Sequence, residues 1–416
     1  MVEALTPSVW AADLRILEAA IEHDHCEPWH AVPRSVFRAA NRRLHERIPN
    51  LTSPEIIVEF ARLIALIGDG HTALHLTRIP HFDRFPVRIY RFSDGLFLHA
   101  VESHHAHLVG SRLVAIDDVP AGEIFERMRP IVSHDNAMGI WQQVPELMTI
   151  PEVLHAIGIL RSCRHATFHL ESPAGQRHSV LLTANTTVPD GMVTNQQATS
   201  MPVPLWLRDT GQNWTTWLPD DDAVYLAFNT VRDEPGETAA SLFDRAFDLV
   251  QTHQASRFVL DLRHNGGGNK LLNEPLIHHL IRSDAVNRPG CLFVIIGRKT
   301  FSAAMNLAVD LERLTHALFV GEPTGSSPNH FGETTTVTLP NSGIRFTHSA
   351  LWWQNSEPYD DRAWIEPDIP ARLTSEAYFA QIDPAFAAIR GFVPGDEYRE
   401  APSSRLMRKL RRDNFI

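Results

Sequence analysis

From residue 223 onward one pattern recurs, and few folds accommodate it. Short, continuously apolar runs, "AVYLAFNTV" (223–231), "RFVLDLR" (257–263), "CLFVIIG" (291–297) and "ALFVGEPTG" (317–325), alternate with stretches of helical spacing. The helical stretches lie near 236–254, near 269–283 and after residue 302. A strand exposed on one face alternates apolar with polar, so an unbroken apolar run marks a strand covered on both faces. The pattern therefore predicts an α/β core over 222–385, with a parallel sheet between helices.

The residues before it read differently. Trp10, Leu14, Leu17 and Ile21 recur at helical spacing, as do Ile57, Phe60, Ile64 and Ile67. "LTSPE" (51–55) offers Thr52 or Ser53 as an N-cap with Pro54 in the first turn, and "GDGHTALH" (68–75) ends that helix in a Gly-punctuated turn. Residues 1–80 are thus expected to form a helical segment. Over 81–183 short strands are expected. "FPVRIYRF" and "GLFLHAV" alternate, "SRLVAIDDVPAGEIFERM" (111–128) reads as strand, turn and helix, and "HATFHLES" with "HSVLLTA" reads as a hairpin. A Thr-, Asn-, Gln- and Pro-rich connection with one hairpin is expected over 184–221, and a basic tail over 386–416, read as a solvated helix.

Composition excludes several function classes. In 416 residues, 38 basic and 49 acidic side chains leave a net charge of −11, which disfavours broad nucleic-acid binding. Cys26, Cys163 and Cys291 lie far apart with no CxxC pair, so neither a disulfide framework nor a structural zinc site is expected. No run reaches about 18 apolar residues and the N-terminus has no signal-peptide pattern, so no membrane partner is expected and the cytoplasm is the default compartment.

Two stretches carry candidate chemistry. "DLRHNGGG" (261–268) ends a buried strand, where open α/β sheets place their sites, and three glycines let the backbone approach a ligand with its N–H groups outward. It is not a phosphate loop, because GxxxxGK[ST] is absent. "TFSAAM" (300–305) places Ser302 where the next strand gives way to a helix, either as a cap or as a nucleophile at the positive end of the helix dipole. Successive parallel strands end on the same side. The Gly loop and Ala303 can then converge backbone N–H groups on one oxygen, as an oxyanion hole requires. A serine nucleophile needs a base. No lysine lies between Lys299 and Lys409, which leaves the 23 histidines; His71 stands in the helix-ending turn. "HDHCEPWH" (23–30) reads as a polar helix end rather than a metal site, and His104, His105 and His107 as a solvated loop.

In order, "GDGHTAL", "VGSRLVAIDDVPAGEI", "DLRHNGGG", "TFSAAM", "GEPTG" and "WIEPDIPA" resemble the C-terminal processing and tricorn-type (tail-specific protease-like) serine peptidase family over residues 10–375. The resemblance implies a crotonase-like (ClpP-like) α/β core, a helical N-terminal segment and a small, degenerate PDZ-like β-rich domain. It implies Ser302 as nucleophile. With no suitable lysine, it implies the histidine branch, with His71 as base. An acid falls in "EPYDDRAWIEPDI" (357–369), Asp361 at the matching offset and Asp360 second; the backbone donors are Gly267, Gly268 and Ala303. The chain departs from the family at Met305, where a glutamate is common, at Gly70, where the tricorn enzyme has serine, and at the acid, Asp for Glu. The PDZ-like stretch lacks a clear carboxylate-binding loop. The resemblance implies cleavage of peptides or unfolded segments without cofactor or metal, and possible homo-oligomers. Hydrolysis of non-peptide esters or amides, or silent binding of a hydrophobic ligand on the same fold, are the alternatives. Trp206, Trp214, Trp217, Trp352 and Trp353 either line a substrate groove or pack into the core.

Overall fold

A computed structural model describes residues 5–185, 192–195, 203–393, 395 and 402–412. The chain is mixed α/β and divides into two compact units, Met1–Met201 with Phe331–Trp353, and Pro202–His330 with Gln354–Ile416. Phe331–Trp353, expected inside the 222–385 stretch, clusters with the first unit.

The second unit holds the predicted sheet. Ala223–Ala227, Arg257–Asp261, Leu292–Ile296, Leu318–Gly321 and the short Ile369–Pro370 run parallel. Trp214–Leu218, from the 184–221 connection, joins the first core strand Ala223–Ala227 antiparallel at one edge. Residues 186–191 and 196–202 of that connection lie outside the described residues. The four central strands are buried except at Arg257, because alternate residues enter different clusters. Val224, Leu226, Phe258, Leu260, Val294 and Phe319 pack with residues of helices Ala239–His253, Glu274–Arg282 and Ala303–Leu314. Tyr225, Val259, Phe293 and Val320 pack with Ala385, Phe386 and Ile389 of helix Pro384–Arg390. A period of two with both sides apolar is what makes the sequence read as unbroken hydrophobic runs.

The basic tail is not a solvated helix. Helix Pro402–Arg412 buries Leu406 and Leu410, and two of its cations, Arg405 and Lys409, find partners. Lys409 Nζ lies 3.2 Å from Glu312 and 2.9 Å from Asp368, and Arg405 donates to the Ala317 carbonyl at 2.5 Å. Arg405, Leu406, Lys409 and Leu410 share one face by i,i+4 spacing, so the stripe that looks merely basic is half apolar. Glu312, 1% exposed, also accepts two bonds from Arg362. Burial alone would raise its pKa, but Lys409 and Arg362 hold it down to about 2. Glu312→Ala takes one carboxylate partner from each of two cations at once, leaving Lys409 only Asp368 and Arg362 only Asp360. It is expected to destabilise the protein by about 3–5 kcal/mol, read as a shift of the urea unfolding midpoint; a shift under about 0.5 kcal/mol would show that the network adds nothing.

In the first unit, helices Pro7–Asp24, Arg34–Arg47 and Ser53–Ala65 come first. The last begins as expected, with Thr52 as N-cap and its N–H donating to the Glu55 carboxylate at 2.7 Å. A sheet of order Val87–Phe92, Gly95–Val101, Arg112–Ile116, His165–Glu171, Arg177–Thr183 follows, and the 165–183 pair is the predicted hairpin. Helices Ala137–Leu147 and Pro151–Ala156 interrupt the stretch expected to be mostly strands. Pro145 inside the first of them masks its helical pattern. Among the described residues, no helix is long and apolar enough to cross a membrane.

Candidate active site

In the second unit, the Gly loop leaves strand Arg257–Asp261 and the turn 297–302 leaves strand Leu292–Ile296. The two are tied together. Phe301 N–H donates to the Asn265 carbonyl at 3.1 Å, and the Asn273 side chain donates to the Ala303 carbonyl at 2.9 Å. Thr300 Oγ1 donates to the Leu262 carbonyl at 2.9 Å. The approach is close enough to require glycine. A Cβ on Gly267, whose φ is +102°, would stand 2.6 Å from Ser302 Cβ and 2.9 Å from Ala303 N. On Gly268 it would stand 2.1 Å from the Val231 carbonyl oxygen.

Ser302 sits at the N-cap position of helix Ala303–Leu314 but does not cap it. An N-cap residue has extended backbone and its hydroxyl accepts an N–H of the first turn. Ser302 has φ 54°, ψ −127° and no such bond. A non-glycine residue pays for this conformation with roughly 1–3 kcal/mol of strain, and such strain clusters at functional sites. A sharp strand-to-helix turn that presents a serine hydroxyl clear of its own helix is the geometry of a nucleophile elbow.

Of the three expected backbone donors, the N–H of Gly267 is already engaged, donating to Asn265 Oδ1 at 2.9 Å. Its donor role is therefore not available in this geometry, and its part is steric. Among the described residues, the N–H groups of Gly268 and Ala303 meet no protein acceptor. The two expected carboxylates differ. Asp360 is buried with both oxygens engaged, by Arg362 at 2.8 Å on each and by Ser356 Oγ at 2.6 Å. Asp361 is exposed. Trp206 is buried beside His264, Trp214 lies half-buried against Tyr225 and Trp217 against His253. These three are packing residues.

In the first unit, His71 is 8% exposed in the turn after helix Ser53–Ala65. Its N–H donates to Asp69 Oδ1 at 2.7 Å, and its carbonyl accepts from Thr347 Oγ1 at 2.7 Å. Gly332 leaves room for the Trp353 ring, since a Cβ there would stand 2.8 Å from Trp353 Cδ1, while His71 Nε2 at 3.7 Å would be in ordinary contact. Trp352 is exposed and packs on Phe331. Burial pushes the His71 pKa down to about 4, opposed by the Asp69 carboxylate. "HDHCEPWH", expected as a polar helix end, instead buries His25 against Asp69 at 2.9 Å. This pair escaped the sequence because 44 residues separate its members. Among the described residues, no group of three or more His, Cys, Asp or Glu side chains is arranged to hold a metal ion.

No protein-family model matches the sequence, and no curated protein matches it. The structure is similar over nearly its whole length to mature CPAF complexed with lactacystin: TM-score 0.66, 13% identity, 98% of this chain and 99% of that one. Mature CPAF without that ligand aligns with TM-score 0.65, 13% identity, and 98% of each chain. The chain shares the CPAF fold. The photosystem II D1 C-terminal processing protease is also among the similar structures, with TM-score 0.42, 13% identity, and 94% and 98% coverage.

Proposed function

We propose that the chain is a serine peptidase of the C-terminal processing and tricorn-type family, acting on peptides or unfolded segments without a cofactor. In this assignment the sheet of the second unit is its crotonase-like core and the β-rich part of the first its degenerate PDZ-like domain. The observation that carries it is Ser302: a serine at positive φ, not capping its helix, against Gly267 and Gly268, where an added Cβ would clash.

In this reading His71 is the base and Ser302 the nucleophile. The Ser302 hydroxyl attacks the scissile carbonyl and its proton passes to His71. The N–H groups of Gly268 and Ala303 receive the developing oxyanion. His71 then protonates the leaving amine, and an acyl-enzyme on Ser302 remains. Water, deprotonated by His71, releases the acid and restores the hydroxyl. Asp361 is the carboxylate that the resemblance assigns to His71, and Asp360 the second choice.

The test is hydrolysis of an unfolded protein and of short peptides against pH, beside a panel of small esters. Peptide cleavage is expected, with kcat/KM rising through pH about 4, because the base must be neutral and burial has lowered its pKa to about 4 from 6.5. An acid limb near 6.5 would assign the base to a histidine less buried than His71. Turnover of esters alone would make the protein a non-peptide hydrolase, and no turnover at all would favour a silent binder of hydrophobic ligands. Folding follows the same proton. The unfolded chain binds it first as pH falls below 6.5, so stability contributed by neutral His71 is complete above 6.5 and falls, by roughly 3 kcal/mol, as pH approaches 4. Circular dichroism along the same range separates the two effects.

A further inference from the structure

The turn that carries His71 is held by carboxylates. Asp69, 2% exposed, accepts four hydrogen bonds. Its Oδ1 receives the N–H of His71 at 2.7 Å, the N–H of Thr72 at 2.7 Å and the Ser349 hydroxyl at 3.0 Å. Its Oδ2 faces His25 Nε2 at 2.9 Å. The intervening N–H, that of Gly70, donates to Asp135 Oδ1 at 2.6 Å. Three consecutive amides of the turn thus end on two carboxylates, while Thr347 holds the His71 carbonyl from the other side.

His25 completes this arrangement. Glu27 N–H donates to His25 Nδ1 at 3.0 Å, so Nδ1 is the acceptor and Nε2 donates to Asp69. Burial would raise the Asp69 pKa, but the bonds from His25 and Thr72 outweigh it and hold it at about 2. Asp69 is ionised throughout the working range.

We propose, resting on the assignment of His71 as general base, that Asp69 is its positioning residue. The clasp with His25 and Ser349 fixes the backbone of His71 and keeps a permanent negative charge beside its imidazole. That charge opposes the desolvation of His71 and favours the imidazolium formed when Ser302 loses its proton. Other titratable groups around the turn are Asp135 at Gly70, His30 beside Gly68, and the set of Asp24, His25 and His348.

The test is Asp69→Asn, which keeps an oxygen for the two amides but removes the charge. His71 is followed by NMR of carbon-13-labelled histidine, its signal identified by loss in His71→Ala. The protonated-to-neutral ratio of His71 at pH 4–5 is expected to fall about tenfold, a shift of about one pH unit. kcat is expected to fall roughly 10- to 100-fold with KM little changed. The acid limb of kcat/KM should move with the NMR midpoint. An unchanged midpoint overturns the proposal, including when kcat falls only in proportion to lost folded protein. If Asp69→Asn does not fold, Ser349→Ala withdraws one donor from the carboxylate and should raise the midpoint; no displacement there is equally fatal. Failure of the hydrolase assignment looks different: a wild type that cleaves nothing while the midpoint shifts as stated leaves Asp69 acting on His71 and removes only the reaction.

Discussion

Ser302→Ala is expected to lower peptide hydrolysis by about 10⁴-fold or more, with stability changed by less than about 0.5 kcal/mol. The activity loss follows from the chemistry, because the acyl-enzyme forms on the Ser302 hydroxyl, alanine carries none, and the neighbouring Thr300 hydroxyl is buried and donates to the Leu262 carbonyl. The small stability change follows from geometry. The Ser302 side chain makes no cap bond to its helix, so alanine removes no structural contact of that kind. Alanine also carries the same backbone penalty at φ 54° as serine does. An ordinary N-cap serine would behave in the opposite way, since alanine there costs about 1 kcal/mol and leaves activity alone. Activity and unfolding measured on one preparation distinguish the two roles.

The second large effect is expected at Gly267. Alanine there meets two obstacles. The backbone sits at φ +102°, and the added Cβ would stand 2.6 Å from Ser302 Cβ, 2.9 Å from Ala303 N and 3.0 Å from the Phe301 carbonyl oxygen. Two of these neighbours are backbone atoms, so relief requires the loop to leave the serine turn. Displacing the loop moves Gly268 N–H, one of two donors proposed for the oxyanion, and loss of one donor costs about 10²–10³ in kcat. Gly266→Ala is the control: no atom lies within 4 Å of a Cβ there. Its activity is expected to stay within a few-fold of wild type. Equal losses at both positions would mean that the run needs glycine for flexibility rather than for close approach.

The parts of this arrangement that sequence revealed are those fixed by local pattern. Unbroken apolar runs disclosed the buried strands, and parallel strands ending on one side brought the Gly loop to Ser302. The backbone conformation of Ser302 is not local information, because the same residues can cap a helix. Tertiary context alone selects φ 54°. His25, Asp69 and Ser349 were overlooked for a related reason. Asp69 meets Ser349 across 280 residues of sequence, and no periodicity spans that distance. The tail misled because Arg405 and Lys409 look solvated until Ala317, Glu312 and Asp368 are found opposite them. Asp360 and Asp361 are adjacent in sequence and opposite in character: the first is buried on Arg362 and the second exposed. Sequence offset alone does not distinguish such neighbours.

The central claim, that Ser302 is an activated nucleophile, is tested most directly by treating the folded wild type and Ser302→Ala with a fluorophosphonate and weighing the products. One covalent adduct on wild type, located by fragmentation on Ser302 and missing from the variant, is the predicted result. A folded wild type that takes up no label, or takes it up on another serine, would contradict it.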